Sequence, residues 1–124
     1  MMLLIDIGNT NIVCALYDNH QYIKNNRIEN LENVCSTLEK YLDYNIKSIA
    51  ICSVVPNSTN IFINEIKKIF GIDPFIVSHE NANINLKVDN PNEVGADRIC
   101  NVKAGIKKTK GGCIVIDFGT ATTY

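Results

Sequence analysis

MLLIDIGNTNIVCALY, residues Met2 to Tyr17, consists of two apolar runs joined by a polar turn. Leu3, Leu4 and Ile5 lead into Asp6. Gly8, Asn9 and Thr10 make the turn, and Ile12, Val13, Ala15 and Leu16 form the second run. Apolar runs separated by small and polar residues predict strand, turn, strand. The turn gathers a carboxylate, a glycine, an amide and a hydroxyl. Asp6 suits a divalent cation held through water, since Mg²⁺ keeps several waters and takes one or two carboxylates. Gly8 lets backbone N–H groups face a phosphate, and Asn9 and Thr10 add neutral donors. For such a turn met once, an ordinary polar hairpin is the competing reading.

The chain carries the pattern twice. CIVIDFGTATTY, residues Cys113 to Tyr124, again runs from apolar strand to Asp117, one apolar residue, Gly119 and threonines. Asp6 aligns with Asp117, Gly8 with Gly119, and Asn9 with Thr120. Two phosphate-type turns more than a hundred residues apart predict a duplicated architecture that grips one polyanionic ligand from two sides.

A chain of 124 residues suits one domain of ordinary size with a real core. Its net charge of −1 gives no basic balance toward nucleic acid. No apolar run reaches the length of a membrane span, and the N-terminus lacks signal-peptide features, so a cytoplasmic, soluble protein is expected. The five cysteines include no CxxC pair and sit among apolar neighbours; five reduced, mostly buried thiols are expected, not a metal site. His20 and His79 read as surface residues.

Beyond the first hairpin, Asp18–Asn19 predicts another turn and Gln21–Ile28 a third antiparallel strand. Asn30 reads as the N-cap of a packing helix with Leu31, Val34, Cys35, Leu38, Tyr41 and Leu42 at helical spacing. Ser48–Val55 predicts a strand covered on both faces and stopped by Pro56. Ser58 or Thr59 caps a second helix with Phe62, Ile63, Ile66, Ile69 and Phe70 on its apolar face and Gly71 as C-cap. Asp73–Ser78 suits a short strand, and the Asn-rich segment His79–Glu93 a long loop of the kind that often carries function. Pro91–Glu93 opens a third helix through Ile106, with Ile99, Val102 and Ile106 on one face.

In that helix's first turns lie Gly95, Ala96, Asp97 and Arg98. Small residues and a helix N-terminus favour close approach of an anion. The adjacent carboxylate and guanidinium suit a base and an anion clamp; a solvated ion pair is the plainer alternative. Lys107–Lys110 and Gly111–Gly112 read as a solvated basic turn.

Taken in order, D-x-G-N-T, N-P-x-E-V-G-A-D-R and D-x-G-T-A-T-T resemble the type III pantothenate kinases, part of the superfamily of acetate and sugar kinases, heat-shock chaperones and actin. The resemblance covers the chain end to end. It implies an α/β, ribonuclease-H-like (actin-like ATPase) fold of mixed sheet and flanking helices, as domain 1–112, with residues 113–124 starting a second, duplicated domain. It implies transfer of the ATP γ-phosphate to pantothenate, giving 4′-phosphopantothenate, the first step of coenzyme A synthesis. By motif position, Asp6, Ile7, Gly8, Asn9, Thr10, Asn11, Ile12, Val13 and Thr120 would bind ATP. Gly95, Ala96, Asp97 and Arg98 would bind pantothenate, with Asp97 as the catalytic proton acceptor. Asp117 would bind a monovalent cation, K⁺ or NH₄⁺, and Asp6 would orient Mg²⁺ through water. A homodimer is implied, with no nucleic-acid or membrane partner. Two departures stand out. Val88 replaces a tyrosine the family often has seven residues before the Gly95 position, and members are longer, so the chain is expected to be an N-terminal fragment. A non-catalytic nucleotide-binding module and a regulatory accessory protein are the rival classes; a base and clamp in GADR favour the kinase.

Overall fold

A computed structural model describes residues 1–109 and 111–118 and the backbone of 122–123. The chain forms two compact units, Met1–Ile76 and Val77–Tyr124.

The first unit is built on one five-stranded sheet. Its strands are β1 (Met2–Ile7), β2 (Ile12–Asp18), β3 (Gln21–Ile28), β4 (Ser48–Ser53) and β5 (Phe75–Ile76), in the order β3-β2-β1-β4-β5. β1, β2 and β3 are antiparallel, while β4 runs parallel to β1 and β5 parallel to β4. This mixed α/β arrangement is consistent with the N-terminal domain of actin-like ATPases. Register places the apolar side chains on one face: Leu3 is opposite Leu16 and Ile49, and Ile5 opposite Cys14 and Ile51. All six are buried. Because side chains alternate along a strand, Leu4, Ala50 and Cys52 fall on the other face and are half-buried. β4 is therefore fully covered on one face only, unlike the expectation of two. β2 and β3 meet in a two-residue hairpin in which Asn19 and His20 both take positive φ, 45° and 67°. That geometry matches the strand twist, which gives His20 a turn role.

α1 (Val34–Glu39) and α2 (Pro56–Phe70) contribute Val34, Leu38, Phe62 and Ile66 to the core. The first helix is shorter than its spacing predicts. Asn30 does cap, accepting from Glu32 N at 3.1 Å, but it caps a 3₁₀ turn, Leu31–Asn33. Past Glu39 the bonds from Tyr41 N to Leu38 O and Leu42 N to Glu39 O span three residues, not four. This tighter winding turns Leu42 out to 53% exposure and Tyr41 in to 0%. Pro56 starts α2 instead of only ending β4: it occupies the first helical turn, where its missing N–H costs nothing. Ser58 and Thr59 consequently lie inside the helix, and the N-cap position belongs to Val55. Thr59 Oγ1 bonds Val55 O at 2.9 Å and Ser53 Oγ at 2.6 Å, tying the helix start to the end of β4. Gly71 ends α2 as expected, with φ of 65°.

Tyr41 crosses the interior to lock these layers. Its hydroxyl donates to Cys14 O and accepts from Asn26 Nδ2, both at 3.0 Å. Burial pushes the Cys14 thiol up to about 12, and burial, with the Cys14 charge adding, pushes the Tyr41 phenol up to about 12 against the Asn26 hydrogen bond. As pH rises past the ordinary values of 9.0 and 10.0, the unfolded chain loses protons that the folded chain keeps, so stability falls between there and about 12. Tyr41→Phe in the full-length protein is expected to lose about 1–3 kcal/mol at neutral pH, because Cys14 O and Asn26 lose a partner. Its alkaline decline should also be shallower than wild type. Urea titrations at neutral and alkaline pH check both, and unchanged neutral stability would contradict the lock.

In the second unit, Ser78 N donates to Asn81 Oδ1 and Ala82 N to Ser78 O, and Asn83 takes a φ of 51°, so the Asn-rich segment winds through side-chain-supported turns. Pro91–Glu93 is a separate 3₁₀ turn. Asn90 accepts from Asn92 N, and its amide donates to Glu93 Oε1 at 2.8 Å. Val94 is extended, with ψ of 115°, so helical winding cannot pass through it. α3 (Ala96–Lys108) starts afresh after Gly95, later than predicted. Ile99 is buried, but Ile106 is 53% exposed, contrary to its expected place on the apolar face. Residues 113–116 are not a strand and Cys113 is exposed, where a buried strand was expected. A strand needs a hydrogen-bonded neighbour, and the second sheet consists only of β6 (Asp117–Phe118) and β7 (Thr122–Thr123) among the described residues. Of the five cysteines only Cys14 is fully buried, and none is joined in a disulfide among the described residues.

Candidate phosphate turn and acceptor pocket

The turn between β1 and β2 is closed by Gly8 N donating to Asn11 O at 2.9 Å. A Cβ on Gly8 would stand 3.2 Å from that same oxygen, so the closeness of the two backbones favours glycine. Gly8 thus serves the turn's own geometry with its N–H, while Asn9, Thr10 and Asn11 stand exposed at the tip. A cavity of about 180 Å³ opens here, lined by Gly8 to Ile12 and, across from them, Ile28 to Leu31, Val55 and Ser58. Asp6 is exposed on β1, opposite Val13 and Cys52. Ile7 is fully buried and its carbonyl accepts from Val54 N at 3.1 Å, so this residue anchors the turn to β4. Arg27 on β3 donates from Nη2 to Asn11 Oδ1. Sequence reasoning missed Arg27, because only the β2–β3 register brings it beside the turn.

The second unit holds its own cavity, of about 270 Å³. Leu86, Val88, Val94, Val102 and Val115 give it apolar walls, and Arg98, Asn101 and Asp117 its polar groups. Lys103 Nζ donates to Asn83 O at 3.2 Å, tying α3 to the loop that supplies Leu86 and Val88. Asn101 Nδ2 donates to Asp117 Oδ2 at 3.1 Å. Asp97, in the first turn of α3, is not a wall of this cavity. Its Oδ1 accepts from Arg98 N at 2.7 Å. Among the described residues no carboxylate lies within ion-pair distance of the Arg98 guanidinium, so the expected alternative of a surface ion pair does not form. The structure thus brings Arg98 and Asp117 to one pocket and adds Asn101. Helical spacing held a signal for Asn101, four residues after Asp97 on the same helix.

Gly119 and Thr120 lie outside the described residues. No group of three His, Cys, Asp or Glu side chains arranged to hold a metal occurs among the described residues, and no helix there is long and apolar enough to cross a membrane.

Residues 2–124 match the family model of the type III pantothenate kinases. Curated relatives carrying that name come from Dictyoglomus turgidum, at 41% identity, and from Citrifermentans bemidjiense and Geobacter sp. strain M21, each at 35%. Each match covers all of this chain and 53–54% of the relative, so the chain spans about half the length of the curated relatives it matches.

Proposed function

The chain belongs to the type III pantothenate kinase family, and from that membership we propose that the full-length protein transfers the ATP γ-phosphate to the hydroxyl of pantothenate. The observation that carries this reading is a guanidinium, Arg98, with no carboxylate partner among the described residues, on the wall of an apolar pocket. Pantothenate has a carboxylate at one end and an apolar gem-dimethyl group beside the hydroxyl at the other. A cationic clamp among Leu86, Val88, Val94 and Val102 suits both parts.

In this reading Asp97 accepts the hydroxyl proton and the half-buried Gly95 leaves room for close approach, while Ala96, expected at the substrate, is buried and supports the helix start from within. Asn9, Thr10 and Asn11 line the phosphate cavity, and Thr120, in the repeated turn, contacts ATP. Asp6 is an exposed carboxylate beside the first turn, which fits a divalent cation held through water. Mg²⁺ there would neutralise charge on the phosphates. Asp117, half-buried with one oxygen engaged by Asn101, fits a monovalent cation, K⁺ or NH₄⁺, which would reduce repulsion among phosphates and carboxylates. The transition state of phosphoryl transfer is loose, so positioning and charge carry most of the work. The reading extends to a duplicated second domain beginning near residue 113, to a homodimer and to a cytoplasmic location.

The test is ADP release by the purified full-length protein from ATP with and without pantothenate, with the product identified by mass. Pantothenate-dependent release with a product heavier by one phosphoryl group supports the kinase. ATP binding with no acceptor-dependent turnover would leave a nucleotide-binding module instead. In the active enzyme Arg98→Ala should raise the pantothenate KM by about 10–100-fold, the worth of a hydrogen bond to a charged group. Lys should restore this only in part. A raised KM for ATP with an unchanged one for pantothenate would reverse the assignment.

A further inference from the structure

We propose that Asn101 is a positioning residue whose side-chain amide fixes the Asp117 carboxylate at the wall of the Arg98 pocket. This rests on the reading of Asp117 as the cation-holding carboxylate. Asn101 lies three residues after Arg98, and the two side chains share one face of α3 and one cavity. Its Nδ2 donates to Asp117 Oδ2 at 3.1 Å, and both residues are half-buried.

Asp117 stands on a two-residue strand, paired among the described residues with Thr123 alone and so poorly supported by its sheet. Two features of α3 compensate. Gly105, one turn beyond Asn101, has no side chain where the incoming segment passes; a Cβ there would lie 3.1 Å from Val115 Cγ2 and 3.2 Å from Cys113 Sγ. That close approach delivers the segment, and Asn101 then fastens its carboxylate. A neutral donor suits the task. An amide leaves the full negative charge of Asp117 in place, whereas a lysine would cancel it and an aspartate would repel it. One oxygen of Asp117 is held, leaving the other to a cation.

The experiment uses the full-length enzyme with Asn101→Leu, Asn101→Asp and Asp117→Asn. Leucine keeps the volume and removes the donor. Asn101→Leu is expected to lower kcat by about 10–100-fold, as for loss of a hydrogen bond to a charged group, with the ATP KM little changed. Without turnover, the rise in thermal midpoint that KCl gives over NaCl at equal ionic strength should shrink. Asn101→Asp should lower kcat and shrink the KCl response in the same way, because a carboxylate offers Asp117 no donor. A merely structural role would leave the KCl response as in wild type, and this variant decides the matter if leucine prevents folding. If Asp117→Asn abolishes the KCl response while Asn101→Leu keeps the wild-type kcat and response, the positioning role is wrong and Asp117's role stands. If Asp117→Asn itself matches wild type in both, the cation reading falls and the positioning role falls with it.

Discussion

Asp97→Asn in the full-length enzyme is expected to lower kcat by about 10²–10⁴-fold, the range for loss of a general base. The substitution is well suited to isolating basicity. Asp97 Oδ1 accepts from Arg98 N at 2.7 Å, and an asparagine oxygen at the same place can accept that bond. The first turn of α3 should therefore keep its geometry, and Arg98 its place, while the proposed acceptor of the hydroxyl proton is gone. The pantothenate KM should change little, which separates this variant from Arg98→Ala. Steady-state kinetics at saturating ATP and pantothenate make the measurement. Near wild-type kcat would remove Asp97 from the chemistry.

Phe62→Ala should produce the largest loss of stability, about 3–5 kcal/mol, as for other truncations of buried aromatics. Phe62 is fully buried in α2 and belongs to the core shared with Leu3, Ile5 and Ile51. Such a loss is a large part of the roughly 5–15 kcal/mol that holds a typical domain. Leu42→Ala, at a side chain 53% exposed, is the matched control and should stay within about 0.5 kcal/mol. Urea midpoints of the two variants decide this. A small loss at Phe62 would mean that the core closes over the gap.

What could be read from the residues depended on how far each signal reaches along the chain. The apolar runs of β1 and β2, the Asp18–Asn19 turn and the Gly71 stop are local, and the structure has each. Leu31 to Leu42 kept helical spacing, yet spacing cannot tell a four-residue from a three-residue winding. The anchor that rewards the tighter turn, Cys14 O, is 27 residues away. Pro91 resembles a helix start and is the start of a 3₁₀ turn, because the extended Val94 interrupts the winding. Residues 113–116 have strand composition but no strand partner among the described residues, and composition carries no information about partners. Among candidate site residues, Arg98 and Asp117 were legible from motif spacing. Arg27 was not, since it reaches Asn11 only through strand register, and Asn101 required the three-dimensional approach of Asp117.

The sheet order has a consequence for the chain as it leaves the ribosome. β1, β2 and β3 are contiguous in sequence and can pair through two hairpins as soon as Ile28 has emerged. Hairpins form in about 1–10 μs, far faster than synthesis. The cover for Leu3, Ile5, Cys14 and Leu16 comes from α1 and α2, and α2 ends at Phe70. Adding residues 29–70 at about 5–20 residues per second takes roughly 2–8 s. For that interval the nascent meander presents an apolar face with nothing on it, and β1 presents an open edge awaiting β4. A pause in translation before α2 should therefore favour capture by chaperones or aggregation, and a pause after Phe70 should not.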